Sequence, residues 1–185
     1  MSRLSQASRE SIPQDQVEIF DALIKQYGQS KNGPPSIVQH VPKGWRIERD
    51  MRDYLRYESS LSAEIVELGI LVAAREVDCQ YVWAVHAPLA REAGLTPEFL
   101  EALRERKEFP PLSDKYVAVI NYCREFFRTH RGSPGTYAML KEQFGERGVV
   151  ELGMLFGSYC MLAILLSAAD VQLRPNQDEP VLPIF

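Results

Sequence analysis

A carboxylate, a thiol and an imidazole lie close together in the segment ELGILVAAREVDCQYVWAVH, which runs from Glu67 to His86. Cys79 stands twelve positions after Glu67, and His86 seven positions after Cys79. These are the parts of a general acid–base site or of a thiol-redox site, and the residue types alone leave both open. Glu67 is flanked by Ile65, Val66, Leu68 and Gly69 to Val72. A helix that is apolar nearly all round is buried nearly all round. A carboxylate there must pair, accept hydrogen bonds or take up a proton, and burial moves it from about 4.3 toward neutrality, where proton transfer works best. The structural alternative is an ion pair with a neighbour such as Arg75, or a place beside Glu64 on a narrow solvent stripe.

Cys79, Trp83 and His86 stand at i, i+4 and i+7, which is one face of a helix. A thiol in the first turn feels the positive end of the helix dipole, which favours the thiolate. His86 is two turns further on, so spacing does not guarantee direct contact, and a water or the Glu67 carboxylate could bridge. Taken singly, Cys79 reads as a small buried hydrophobe and His86 as an imidazole satisfied by a backbone carbonyl; Glu67 nearby makes the three a candidate catalytic set. Pro88 inside the same helix frees the carbonyl of Ala84, predicting a kink or widening beside His86 and an acceptor that could orient it. Tyr81 and Trp83 are candidate pocket walls. Cys123 and Cys160 lie in apolar helices and read as structural. No CxxC, glycine-rich phosphate loop, HExxH or GxSxG occurs, so the expectation is a site without metal or cofactor.

The elements that must hold these residues read as helices throughout. Asp15 to Tyr27 carries Val17, Phe20, Leu23 and Ile24 at helical spacing and stops at Gly28. Two prolines make Lys31 to Ser36 a predicted loop. Arg46 to Tyr57 reads as a charged helix. Ser62 caps a helix from Ala63 to Glu76, and Asp78 caps another from Cys79 to Ala93, closed at Gly94-Leu95. Thr96-Pro97 restarts the chain, and Phe109-Pro110-Pro111 breaks it. Ser113 opens a helix to Thr129, Ser133-Pro134 one that stops at Gly145, and Gly148 to Ala169 is the last, with an extended tail. No segment alternates with period two, so the fold class is all-α, a multi-helix bundle. Glu67-Leu68-Gly69 recurs as Glu151-Leu152-Gly153, a faint sign of internal duplication.

Composition narrows the classes. At 185 residues and 45% hydrophobic content the chain can bury the core of one domain. A net charge of -4 offers no basic stripe for nucleic acid. The start, MSRLSQASRESIPQDQ, has no apolar signal region, and three cysteines without framework spacing fit a reducing compartment, so a cytoplasmic location is expected. The apolar run from Gly153 to Ala169 is long enough to raise the question of a membrane span. A buried core helix is the preferred reading, with no membrane partner.

Glu67, Cys79 and His86, followed by APLAREAGL, resemble the carboxymuconolactone decarboxylase and alkylhydroperoxidase D-like family. The similarity is strongest over Leu61 to Glu105 and weaker over Glu146 to Pro175, implying a family core at about 46–175 behind an N-terminal helical extension at about 1–45. It implies a helical bundle, a homo-oligomer (trimer or hexamer) and a small-molecule substrate, with Glu67, Cys79 and His86 as catalytic residues. In the hydroperoxidase branch a second cysteine would fall on Val82, which therefore becomes a pocket-wall residue here. Without that thiol, the vicinal disulfide of that mechanism cannot form. The decarboxylase branch needs no cysteine pair. The resemblance thus implies metal-free decarboxylation or related proton transfer on a small carboxylated lactone or similar acid; His86 is then the expected proton donor, with a protonated Glu67 orienting it or acting in relay. The alternatives are a thiol peroxidase acting through Cys79, and a non-catalytic oligomeric binding protein.

Overall fold

The computed structural model describes residues 2–184, and among them all regular structure is helical. After two short 3-10 turns, Arg9–Ser11 and Gln14–Gln16, come α1 (Val17–Tyr27), α2 (Gly33–Val38) and α3 (Pro42–Asp53). A π turn, Tyr54–Glu58, prolongs α3. Then follow α4 (Ala63–Glu76), α5 (Gln80–Glu92), α6 (Pro97–Glu105), α7 (Asp114–Thr129) and α8 (Pro134–Ala168).

Helix α4 is the centre of the molecule. Every residue from Ile65 to Arg75 is buried, because α5, α7 and α8 pack around it. This is the environment its continuous apolar run demands. Gly69 allows α8 to approach closely: a Cβ there would meet Leu155 at 3.0 Å and Phe156 at 3.2 Å. Ser62 caps α4 by accepting from the Ile65 amide, and Thr96, Ser113 and Ser133 do the same for α6, α7 and α8. The stop at Gly94 carries the expected pair of bonds, from Gly94 N–H to the Arg91 carbonyl and from Leu95 N–H to that of Ala90.

Two local expectations are corrected, and a third holds. The Lys31 to Ser36 stretch is not a loop throughout: Asn32 caps α2 by accepting from the Gly33 amide, and Pro34 and Pro35 occupy its first turn. Amides there have no helical partner to lose, so proline is tolerated. The cap of α5 is Cys79 rather than Asp78, which adopts a left-handed φ of 49° and pairs with Arg75. The stop expected at Gly145 is present inside α8: Gly145 leaves helical dihedrals (φ 65°, ψ −178°), so the Pro134–Ala168 span is two helices meeting across a kink there.

The recurring Glu-Leu-Gly triplets fall on two helices that pack together, α4 and α8. Glu151 is buried yet fully engaged, accepting from Tyr54 Oη at 2.6 Å, Arg147 Nε at 2.8 Å and the Ser60 amide at 3.0 Å. Burial alone would raise its pKa, but the Ser60, Tyr54 and Arg147 hydrogen bonds hold it down at about 2. A folded-state value below the unfolded one contributes stability above the unfolded value, and that contribution is lost as pH falls through it. Glu151→Gln therefore lowers unfolding free energy at pH 7 by about 1.5–3 kcal/mol, the scale of hydrogen bonds to a charged group. In urea melts the gap from wild type closes between the ordinary glutamate value, 4.5, and about 2; a gap that stays constant with pH contradicts this account.

Helix α8 is long and apolar enough to cross a membrane, and half of its most apolar stretch is buried in the fold. The exposed half is taken up below.

Candidate active site

Glu67 and His86 meet. Their helices lie side by side, and His86 Nδ1 is 2.7 Å from Glu67 Oε2, with both residues at least nine-tenths buried. The other carboxylate oxygen, Oε1, accepts from Arg56 at 3.2 Å. With Glu67 as the carboxylate, Nδ1–H donates to it, and Nε2 is the ring nitrogen left to exchange a proton. The Glu67 partner is thus Arg56, while Arg75 bonds Asp78 and the Pro183 carbonyl.

Arg56 reaches Glu67 because the chain widens into the π turn after α3, a local irregularity that often serves functional sites. Arg52, one turn earlier, pairs with Glu48 at 3.4 Å. Glu48 is buried on α3, one of its oxygens is unpartnered, and burial raises its pKa. From α8, Tyr159 sets its ring edge-on to His86, with centroids 5.1 Å apart and planes at 88°. Burial pushes its phenol well above the ordinary value, so Tyr159 stays neutral.

His86 opens on a cavity of about 200 Å³. Arg52, Arg56, Tyr81, Val82, Tyr159 and Arg174 are among its lining residues. Tyr81 and Val82 are therefore pocket walls, as the sequence suggests. Trp83 is not: it is buried, and its indole N–H donates to the Pro180 carbonyl at 3.2 Å.

Cys79 does not share this cavity. It lines a separate one of about 220 Å³ with Asp78, Gln80, Ala163 and Ser167. The i, i+7 argument fails for a definite reason: as N-cap, Cys79 has extended dihedrals (φ −81°, ψ 93°), so its side chain leaves the helical phase that His86 follows. Nor does the helix dipole win. Burial pushes the Cys79 thiol above its ordinary value, and the Val82 and Tyr81 amides offset this only in part. Cys123 is fully buried and pushed further up, again by burial, and Cys160 is half-buried beside it. Helix α5 continues through Pro88, and the imidazole takes its orientation from Glu67 and not from the Ala84 carbonyl.

Sequence reasoning passed over Arg52, Arg56, Glu48, Tyr159 and Arg174. The first three recur every four residues along one helix face that also carries Trp45, a legible signal of charges turned inward. Tyr159 is a polar-tipped ring in an apolar run. Arg174 has no local signal. Among the described residues, no three His, Cys, Asp or Glu side chains are grouped as metal ligands.

The carboxymuconolactone decarboxylase family model matches residues 48–125, from the middle of α3 through most of α7. No curated protein matches the chain in sequence. Solved structures share its fold at low identity. A peroxidase-related protein from Ralstonia eutropha JMP134, described as an alkylhydroperoxidase AhpD core, is 13% identical with a TM-score of 0.70, covering 94% of this chain and 93% of its own. A peroxidase-related protein from Silicibacter sp. TM1040 is 17% identical with a TM-score of 0.68, covering 89% and 87%. The debrominase Bmp8, solved as a cysteine-to-alanine variant with 2,3,4-tribromopyrrole, is 10% identical with a TM-score of 0.67, covering 92% and 91%. At the superfamily level the chain matches the carboxymuconolactone decarboxylase/AhpD-like proteins, and its fold is the AhpD-like helical bundle.

Proposed function

We propose that this chain, matching the carboxymuconolactone decarboxylase/AhpD-like proteins at superfamily level, is a lyase that moves a proton on a small organic acid. Decarboxylation of a carboxylated lactone or a similar acid is the reaction that fits best. The observation that carries this reading is the 2.7 Å Glu67–His86 pair at the wall of an arginine-lined cavity. In such a reaction the bond to the carboxylate carbon breaks, carbon dioxide leaves, and the electron pair moves into a conjugated carbonyl as an enolate. Arg52 and Arg56, whose charges Glu48 and Glu67 balance, offer their remaining N–H donors to the developing oxyanion. His86 Nε2 returns one proton at carbon, replaced from solvent, while Glu67 holds Nδ1 and so fixes the ring. Three fold neighbours are described as peroxidase-related or debrominase, which makes thiol chemistry through Cys79 the second reading. Against it stand Val82 at the place of a second thiol, and a buried Cys79 thiol on another cavity. The deciding assay offers the protein carboxylated lactones and β-keto acids in D2O, and separately peroxides. Carbon dioxide release with deuterium at carbon is expected; Cys79-dependent peroxide consumption without decarboxylation overturns the lyase.

The protein also works as a homo-oligomer on this reading. The exposed half of α8 presents Val150, Met154, Met161 and Ile164 in one stripe, and a cavity of about 400 Å³ beside it is walled by Phe126, Phe127 and Phe156. A contiguous apolar patch of this kind is uncommon on a monomer, and a second copy presents the same stripe. Light scattering in detergent-free buffer should give a multimer, and Ile164→Arg, at a site 63% exposed, should dissociate it without unfolding the chain. A wild-type monomer at micromolar concentration refutes this.

A further inference from the structure

Past α8 the chain turns at Asp170, in a left-handed conformation, and residues 171–184 cross the surface of α5 and α6 without regular structure. This segment is held near α8 by Val171 and Leu173, which pack on the core, and fastened by polar bonds over residues 179–183. Gln80 exchanges two bonds with Leu182, at 2.6 and 2.7 Å, and Trp83 donates to the Pro180 carbonyl. Arg75 and Arg104 donate to the Pro183 and Val181 carbonyls, each at 3.1 Å. Arg91 grips Glu179 with both terminal nitrogens. Buried donors on α4 and α5 are thus satisfied by the strap, which fixes its course.

The consequence at the site is the placement of Arg174. It lines the His86 cavity, and with Tyr81 and Val85 it also borders a neighbouring cavity of about 210 Å³. The charges around the His86 cavity do not balance without a ligand. Arg52 faces Glu48, and Arg56 faces Glu67. Arg174 is exposed at the mouth and forms no ion pair among the described residues. One cation is left for an anion, and a guanidinium is suited to a carboxylate by its paired donors.

We infer that Arg174, held by the C-terminal strap, is the specificity-determining residue that takes a carboxylate of the substrate at the mouth of the His86 cavity. This rests on the lyase reading of that cavity. An ion pair to the carboxylate that is lost would hold the ground state and oppose its departure. The group on Arg174 is therefore a carboxylate that survives the reaction, remote from the reacting carbon.

Acetate and benzoate, with acetamide and benzamide as neutral isosteres, test this on the full chain. Binding is followed by NMR shifts of the His86 ring and of the backbone amides of residues 171–177. Wild type should bind the carboxylates in preference to the amides. Arg174→Gln should weaken the carboxylates by about 10–100-fold, as expected for a charge-assisted pair, and leave the amides unchanged. Arg174→Lys should recover part of the loss. Carboxylate binding at His86 that Arg174→Gln leaves intact overturns the role of Arg174 but keeps the anion site. Equal loss of carboxylates and amides makes Arg174 a structural residue of the strap and also overturns the inference. No preference for carboxylates in wild type removes both the inference and the anion-binding reading beneath it.

Discussion

His86→Ala lowers the rate of proton return by about 10²–10⁴-fold, the usual range for a positioned general acid, on the acid found to release carbon dioxide. Among the described residues, no other imidazole lines the cavity, and the neighbouring phenol of Tyr159 is held neutral by burial. Cys79→Ser, by contrast, changes the rate by less than severalfold, because the thiol lines another cavity. The informative measurement is kcat together with the stereochemistry of deuterium incorporation in D2O. Loss of His86 should lower kcat and scramble the face of deuteration, since an enolate released unprotonated takes its deuteron from solvent slowly and without facial preference. Complete loss from Cys79→Ser with a mild effect of His86→Ala would move the chemistry to the thiol and end the lyase reading. The fold alone does not decide, since related bundles carry different names for their activities.

The sequence carried the helical class and most boundaries because caps, prolines and glycines are local signals: Ser62, Thr96, Ser113 and Ser133 each act where they stand. Burial of Glu67 was legible from the apolar run around it, and His86 from its type. Their meeting was not, since it depends on how α4 and α5 lie side by side. Cys79 was misplaced because periodicity was extended one residue too far, into a cap that does not follow helical phase. Arg56 reaches the site only through a π turn, and Tyr159 and Arg174 arrive from α8 and the strap, well outside the segment that carries the other site residues. Tertiary placement of this kind leaves no trace in local spacing. For the arginines the sequence does hold a signal: Glu48, Arg52 and Arg56 recur at a four-residue interval on a face shared with Trp45. Such a stripe is more often a solvated face, and only burial separates the two cases.

Glu67→Ala and Glu67→Gln separate what the carboxylate does for the fold from what it does for the reaction. In the alanine variant the half-buried Arg56 guanidinium and the His86 Nδ1–H both lose their partner. Removing one member of a buried charged network costs about 3–5 kcal/mol, with the upper end reduced here because the Arg56 side chain is 22% exposed and can turn toward water. Glutamine keeps the shape and can still accept from Arg56 through its oxygen, so its stability loss is smaller. Its amide nitrogen then faces Nδ1 as a donor, which selects the opposite imidazole tautomer and leaves Nε2 with its hydrogen fixed toward the cavity. Such a ring cannot cycle its proton through the same nitrogen with the same partner. The rate should fall by about 10²–10⁴-fold, while urea unfolding shows a folded protein. Glu67→Gln that turns over normally would reduce Glu67 to a structural anchor for Arg56. A variant both more stable and without any activity to lose, in a chain whose wild type also has none, would instead identify a bundle that keeps the pair for binding alone.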